Sequence, residues 1–475
     1  MQELVFSADD LDPWAVVAMA RQPTPVRLAD DARSLMARTH RLVEETARRQ
    51  AVYGRTTGVG ANRDTDSVDE KHGRRLLSSH ATTGMEPYPE DIVRIGLLIR
   101  VNQLARGGSG LSPAVAEALV DLLNTGDLPA LHRGGALGTG DLGALAELGL
   151  ALGEVLDDAS VLPLLSSNAI TLGECCLAMV DASRLVDVVP IVGALTLVAM
   201  HGNAEAFDER VHASRPQDGQ TRVAARMRDL LDGLPLAPSR VQDPFGLRAF
   251  AQVLGPSVEL VEALRRTLAV DINAAAENPL VTGDTVLHNG NWHAMPIALQ
   301  LDALRLSLHS VATLSTSRLG NLIDPELTGL SRFLAQGPAP SSGALMLEYV
   351  AHDALAVLRS DAQPATLSTA TLSRGAEHHA SFAPQAAGMT TKLLQHLRTV
   401  LACELVAACR AVRLAGLTPD DLAPAAVGRW LADALATLPP ELADRPLHDD
   451  IVVARDMLTR WGTTVSPTGP GTTAG

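Results

Sequence analysis

Arg133-Gly-Gly-Ala-Leu-Gly-Thr-Gly-Asp-Leu-Gly-Ala-Leu-Ala-Glu-Leu-Gly149 joins a cluster of glycines to a helix-forming run. Four of its glycines fall between Gly134 and Gly140, where they can support a strained backbone, and an Ala/Leu-rich helix follows. Gly138, Gly140 and Gly143 also satisfy G-x-G-x-x-G, a dinucleotide fingerprint that needs a strand before it and open N–H groups for a pyrophosphate. Leu128-Pro-Ala-Leu-His132 supplies no β-branched run, and Asp141 would set a negative charge where the phosphates should lie. Taken alone, the segment reads as a glycine turn with Thr139 or Asp141 capping a helix.

Working outward, 475 residues would make about three domains at ~150 residues each. The composition is even, however, and no Pro/Gly/Ser linker separates blocks, so one extended helical body is expected. Its division is an N-terminal helical and loop region over 1–187 carrying Tyr53 and Gly138-Thr139-Gly140, a long-helix bundle over 188–420, and C-terminal helices with a tail over 421–475. Hydrophobic residues make up 46% of the chain but aromatics only 3%, so Leu, Ala and Val must fill the core. A net charge of −15 argues against nucleic acid or an anionic membrane as partner. The apolar run Val188 to Met200 contains a proline and is shorter than the ~20 residues a bilayer requires. Met1-Gln-Glu-Leu has no basic n-region, so no signal peptide is expected. Cys175, Cys176, Cys403 and Cys409 sit in apolar helical segments without metal-ligand spacing, which predicts reduced core thiols, no metal site and a cytoplasmic protein. Lys71 and Lys392 are the only lysines, which leaves a pyridoxal phosphate enzyme little choice for its Schiff base.

Along the chain, the spacing predicts helices over Asp30–Arg49, Val68–Leu77, Pro89–Gln103 and Ser112–Leu123, the last stopped by Gly126. Tyr53-Gly-Arg-Thr-Thr-Gly-Val-Gly-Ala-Asn-Arg63 is a glycine-punctuated loop. Helices follow to about Leu156 and over Thr171–Leu185, then longer ones over Val188–Ala206, Pro256–Ala275, Pro296–Leu319, Gly343–Leu358 and Met389–Leu414. Several are about twice the average ~11 residues, which points to a bundle. Leu280-Val-Thr-Gly-Asp-Thr-Val-Leu287 is the one good strand signal, a hairpin around Gly-Asp. It delivers His288-Asn-Gly-Asn-Trp-His293, polar groups with no evident structural purpose. Pro424–Leu438 and Asp449–Trp461 read as helical, and Thr463–Gly475 as a disordered tail.

The loops then line up. Tyr53-Gly-x-Thr-Thr-Gly-Val-Gly, Leu77-Ser-Ser-His80, Arg100-Val-Asn-Gln-Leu-x-Arg-Gly-x-Ser-Gly110, Gly138-Thr-Gly-Asp-Leu142, Phe207-Asp-x-Arg-Val-His212, Val241-Gln-Asp-Pro-Phe-Gly-Leu-Arg248, Ile272-Asn-x-x-x-Glu-Asn-Pro-Leu280, Gly290-Asn-Trp-His293 and Glu377-His-His-x-Ser381 occur in this order. Together they resemble the histidine ammonia-lyase branch of the aromatic amino acid ammonia-lyase and aminomutase family, over about Val52 to Leu414. Between Gly153 and Asn168 the chain is shorter than that family usually is. The resemblance implies a mainly α fold, the long-helix bundle of the ammonia-lyase (fumarase/aspartase-like) superfamily with a smaller, loop-rich N-terminal region. It further implies a small-molecule amino acid substrate and a homotetramer whose active sites are shared among subunits.

Removing ammonia in the α,β sense means abstracting a scarcely acidic β-proton while expelling a poor leaving group. In the family resembled, an internal Ala-Ser-Gly cyclises and loses two waters to give a methylidene-imidazolone, the MIO group, to which the substrate amine adds. Small residues ease the attack of a glycine amide nitrogen on the carbonyl two residues back. Gly138-Thr139-Gly140 keeps that feature but has threonine for serine. Dehydration of Thr139 would leave an ethylidene, whose methyl crowds and electronically blunts the carbon that the amine must attack.

Other positions carry roles implied by the resemblance. Tyr53 resembles the catalytic base; a phenol, with its ordinary pKa near ~10, needs positive potential for that task. Arg248 resembles the arginine that forks onto the substrate carboxylate. Asn168 and Asn291 resemble amide ligands of cofactor and amino acid, His80 a residue contacting the substrate ring, and Glu377 the active-site glutamate. Three departures accompany Thr139. Asp-Pro-Tyr-Ser-Leu-Arg becomes Asp243-Pro-Phe-Gly-Leu-Arg248, so Phe245 lacks a hydroxyl; Asn-Gln-Glu becomes Gly375-Ala376-Glu377; and Asn-Gly-Thr becomes Asn168-Ala169-Ile170. Two classes of function stay open. One is an α,β-eliminating lyase or aminomutase, with or without the backbone-derived electrophile. The other is a non-catalytic homologue or partner subunit on the same scaffold.

Overall fold

Leu, Ala and Val at helical spacing dictate the architecture. In the computed structural model, which describes residues 4–7, 10–22, 24–67 and 71–465, they form helices of up to 32 residues. Two compact units emerge, each assembled from three stretches of sequence. The first comprises Met1–Val180, Leu264–Leu301 and Pro364–Gly388; the second, Asp181–Ala263, Asp302–Gln363 and Met389–Gly475.

In the first unit the helix Glu90–Ala105 is buried on every side from Ile92 to Ala105, so its polar residues must find partners. Arg100 pairs with Glu277 at 3.0 Å. Asn102 Nδ2 donates to Ile272 O at 2.9 Å and to Asn273 Oδ1 at 2.8 Å, and Gln103 Nε2 donates to Asp271 O at 3.2 Å. These bonds fasten the stretch leading into the hairpin Leu280–Thr282/Thr285–Leu287, which is antiparallel as its sequence predicts. The hairpin sets the polar run beginning at His288.

In the second unit a buried carboxylate is fully paired. Glu404 accepts two bonds from Arg318, at 2.6 and 2.7 Å, and one each from Ser315 and Thr196. Such complete pairing is what makes a buried ion pair tolerable. Phe207 and Phe250 pack edge to face, as do Trp430 and Trp461.

Several boundaries differ from expectation. Leu4–Phe6 and Val26–Leu28 form a parallel pair, and Pro13–Arg21 a helix, where the sequence shows no signal. Three-residue strands are too short for alternation to register. The helix expected over Val68–Leu77 is His72–His80, with residues 68–70 outside the described residues. Thr171–Leu185 and Val188–Ala206 are one helix, Ala169–Ala199, with Pro190 inside it; likewise Phe250–Asp271 runs through Pro256. A proline deletes one helical hydrogen bond, and the apolar packing on both sides outweighs that loss. The merger also changes the membrane reading. The segment Asp158–Ala199 is long and apolar enough to cross a bilayer, but 89% of its most apolar window is buried inside the protein, which makes it a core helix. Thr463 and Thr464 end the helix His448–Thr464 rather than starting a tail, and residues 466–475 lie outside the described residues. All four cysteines are buried and unbridged, and burial pushes the Cys403 and Cys409 thiols up to about 12.

Candidate active site

The glycine segment Arg133–Gly149 is pinned from several elements of the first unit. Leu137 O accepts from the Phe382 N–H at 2.8 Å, and Ala136 O from Gln385 Nε2 at 2.9 Å. Gly138 O receives the Ser381 hydroxyl at 3.1 Å and the Ala294 N–H at 3.3 Å. Ala294 directly precedes the helix Met295–Leu322, so the carbonyl sits at the positive end of that helix dipole. Two donors on one carbonyl draw electrons from its carbon. Two residues on, the Gly140 N–H donates to Asn168 Oδ1 at 3.0 Å, and Asn168 Nδ2 in turn holds Trp292 O at 2.7 Å.

Gly138 adopts φ +81°, and a Cβ added there would lie 1.9 Å from Ser381 Oγ. The backbone donor to its carbonyl thus works together with a hydroxyl occupying the space a side chain would need. This accounts for glycine at a position where the family has alanine.

Asp141 occupies the N-cap position of the helix Leu142–Leu152 without a side-chain capping bond. Its carboxylate instead accepts from Thr171, through the backbone N–H at 2.8 Å and the hydroxyl at 2.5 Å, while its own N–H goes to Ser167 O. Neither simple capping role foreseen for Thr139 or Asp141 holds, because Thr171 outcompetes the helix for the carboxylate. Burial raises the Asp141 pKa to about 6. Ser167 also ties the loop to the buried polar helix, its hydroxyl donating to Gln103 Oε1 at 2.8 Å.

Thr139 lines a cavity of about 720 Å³, together with Tyr53, His80 and Glu377. That volume lies within the usual range of small-molecule sites. The Tyr53 loop closes on itself: the Gly60 N–H donates to Tyr53 Oη at 2.8 Å, and the Tyr53 N–H donates to His288 Nε2 at 3.3 Å. Burial holds the phenol above its ordinary pKa and the Glu377 charge adds to this, while the Gly60 N–H and Arg63 oppose it. Gly60 is left-handed, at φ +58°. A Cβ there would stand 2.3 Å from Ser373 Oγ and 3.2 Å from Glu377 Oε1. Ser373 Oγ accepts the Ala61 N–H at 2.7 Å, so the Tyr53 loop and the segment bearing Glu377 are latched together.

Four expected residues, Tyr53, His80, Thr139 and Glu377, therefore share one cavity; Gly138 and Gly140 flank Thr139 in the chain, and Asn168 is bonded to Gly140. Asn291 is exposed and lines a small adjoining cleft with Asn168 and Trp292. Arg248 and Phe245 belong to the second unit, with the guanidinium 4.7 Å from the ring centroid and Phe245 68% exposed. Ser373, Ser381 and His288 join the site without being candidates from sequence; Ser381 ends the Glu377-His-His-x-Ser381 motif and His288 opens the polar run after the hairpin, which is the available signal. Among the described residues no group of three or more His, Cys, Asp or Glu could hold a metal ion.

A family model described as aromatic amino acid lyase matches residues 11–158 and 154–434. Histidine ammonia-lyase of Geobacillus thermodenitrificans is 34% identical over 463 residues, 90% of this chain and 91% of that protein. Among solved structures, tyrosine aminomutase from Streptomyces globisporus superposes with a TM-score of 0.89 at 25% identity, covering 97% of each chain. The ergothioneine-degrading enzyme ergothionase of Treponema denticola superposes equally well, at 0.89 and 24% identity, covering 97% of this chain and 99% of that one.

Proposed function

The chain belongs to the aromatic amino acid lyase family, and from that premise we propose that its first-unit cavity carries out α,β-elimination on an α-amino acid with Tyr53 as base. It is a carbon–nitrogen lyase of the ammonia-lyase type. The observation that carries the site assignment is the Tyr53 hydroxyl on the Gly60 N–H, in the same cavity as Thr139 and Glu377. A backbone N–H aimed at a phenol oxygen stabilises the phenolate that proton abstraction requires. His80 lines the same cavity, which supports a contact with a polar substrate ring such as imidazole. Arg248 is the proposed carboxylate fork. Exposed on the second unit, it is available to a site shared between subunits of a homotetramer, as are Phe245 and Asn291. The four buried, unbridged cysteines support a cytoplasmic setting.

The family's prosthetic group fits the backbone here but not the side chain. The doubly hydrogen-bonded Gly138 carbonyl and the Gly140 nitrogen held by Asn168 suit ring closure. Thr139, however, would leave an ethylidene whose methyl stands in the cavity where an amine must approach. The residues present do not fit a methylidene-bearing group, so elimination rests on Tyr53, Glu377 and the substrate's own leaving group. An aminomutase outcome, readdition of the amine, would use the same base.

Two measurements test the reading. Formation of an α,β-unsaturated acid, followed by ultraviolet absorbance, is expected for the wild type and abolished in Tyr53→Phe; turnover untouched by that substitution would remove Tyr53 as base. Intact mass reports on residues 133–149, where full mass in active protein excludes the cyclised group and a deficit of two waters establishes it.

A further inference from the structure

Asp271 ends the helix Phe250–Asp271, where its backbone oxygen accepts from Gln103 Nε2 at 3.2 Å. Its carboxylate is left over. Among the described residues no hydrogen bond or ion pair reaches it, and burial alone raises its pKa to about 6. The group is therefore ionised at neutral pH with nothing to offset its charge, a state that costs free energy wherever water is partly excluded.

Asp271 lines the small cleft formed with Ser166, Asn168, Asn291 and Trp292, a different space from the cavity lined by Tyr53 and Glu377. About 20 Å³ is free within it, enough for an occupant the size of a water molecule. Two helices start at this cleft, but their N-termini are already answered. The Ala294 N–H donates to Gly138 O at 3.3 Å, and the Ala169 and Thr171 N–H groups donate to Ser167 Oγ at 3.0 Å and Asp141 Oδ2 at 2.8 Å. The helix Phe250–Asp271 ends there instead, and its negative pole adds to the carboxylate. What remains unanswered is negative, so the occupant it suits is a cation. Magnesium would keep its own waters, and zinc would want imidazole or thiolate. The histidine of the cleft, His293, is engaged by His379 at 3.0 Å. A single carboxylate among neutral oxygens, in a space of this size, selects a singly charged ion that sheds water readily.

We propose that this cleft binds one weakly hydrated monovalent cation, ammonium or potassium, seated on the Asp271 carboxylate with further oxygens from Asn291 and Ser166. Ser166 Oγ accepts the Asn278 N–H at 3.3 Å and keeps a lone pair for the ion. Ammonium has a source next door. Elimination splits an amino acid zwitterion into an acrylate anion and ammonium, and Ser166 and Trp292 line both the reaction cavity and the cleft. The cation site stands on the cleft's own geometry, whereas its use by product ammonium rests on the elimination reading above.

The test is equilibrium dialysis of the full chain with thallous ion, which matches potassium and ammonium in charge and size, in a sodium buffer. The expected result is one saturable site per chain, competed by ammonium and by potassium, and weakened about tenfold or more in Asp271→Asn by loss of a close charge contact. No saturable site, or one that survives in an Asp271→Asn protein folded by circular dichroism, would overturn the proposal. Should that variant fail to fold, Asn291→Ala, at an exposed position, decides: weaker thallous binding supports the site and unchanged binding overturns it. Competition by potassium but not ammonium would overturn the ammonium assignment and leave the cation site standing. Product inhibition of acrylate formation by ammonium should have its Ki raised about tenfold in Asp271→Asn, and an unchanged Ki would remove Asp271 as the product's seat. Thallous binding in a protein that forms no acrylate would sink the elimination reading and leave the site intact.

Discussion

Replacing Gly60 by alanine probes the junction on which the site depends. At φ +58° an alanine costs about 1–2 kcal/mol for its left-handed backbone alone. Its Cβ would stand 2.3 Å from Ser373 Oγ, so the hydroxyl must move and give up the Ala61 N–H. Such a bond is worth about 0.5–1.5 kcal/mol net, which brings the total to about 2–3 kcal/mol. The strain is relieved most readily by the Tyr53 loop shifting away from Ser373, which also misaligns the Gly60 N–H and Tyr53 Oη. Urea unfolding should show the stability loss, and kcat/KM for acrylate formation should fall about a hundredfold, equivalent to ~2.7 kcal/mol. Ser373→Ala in the Gly60→Ala background removes the atom that is struck and should recover about 1 kcal/mol in a double-mutant cycle. Strictly additive effects, or a Gly60→Ala protein within about 0.5 kcal/mol and twofold of wild type, would refute the latch.

Other perturbations separate structure from chemistry. Arg100→Met strands the Glu277 carboxylate in the core of the first unit and should cost about 3–5 kcal/mol by chemical denaturation; a loss below about 1 kcal/mol would mean that the pair is not what fastens the helix. Asp141, with its pKa raised from 3.8 to about 6, binds an extra proton in the folded state between those values. Stability from this group is therefore fully present below about pH 4 and lost as pH rises through 6, by on the order of 3 kcal/mol. Unfolding free energies measured from pH 4 to 7 should show that slope and Asp141→Asn should flatten it. Glu377→Gln removes a charge that raises the Tyr53 pKa, so the rising limb of the kcat/KM profile should move to lower pH; a limb that stays in place would uncouple the two residues.

The helical character, the hairpin and the order of the site motifs were legible because each is set by local spacing. Asp30–Ala47 follows an amphipathic stripe, and Leu280–Leu287 pairs β-branched runs across a two-residue turn. The break expected between Leu185 and Val188 and the helix start expected at Pro256 both fail because burial carries each helix on. A proline's local penalty is visible in the sequence, whereas the burial on both sides that outweighs it is not. The site divided in the same way. Tyr53, His80, Thr139 and Glu377 stood in recognisable motifs, but Ser373 and Ser381 gave no sign of what they touch.

The groups on which the proposed chemistry rests are readable from the motifs alone: the tyrosine loop, the glutamate, and threonine where the family has serine, with its methyl on the carbon that an amine would have to attack. What those groups meet is set by contacts between distant parts of the chain. Ser381 reaches Gly138 across 243 residues and Ser373 reaches Ala61 across 312. Separations of that size leave no trace in helical or strand periodicity, which reports only neighbours within a turn or two. The glycine segment could thus be read as an electrophile's precursor from its motif, but its fit was decided by a hydroxyl, an amide and a helix end supplied from distant parts of the chain.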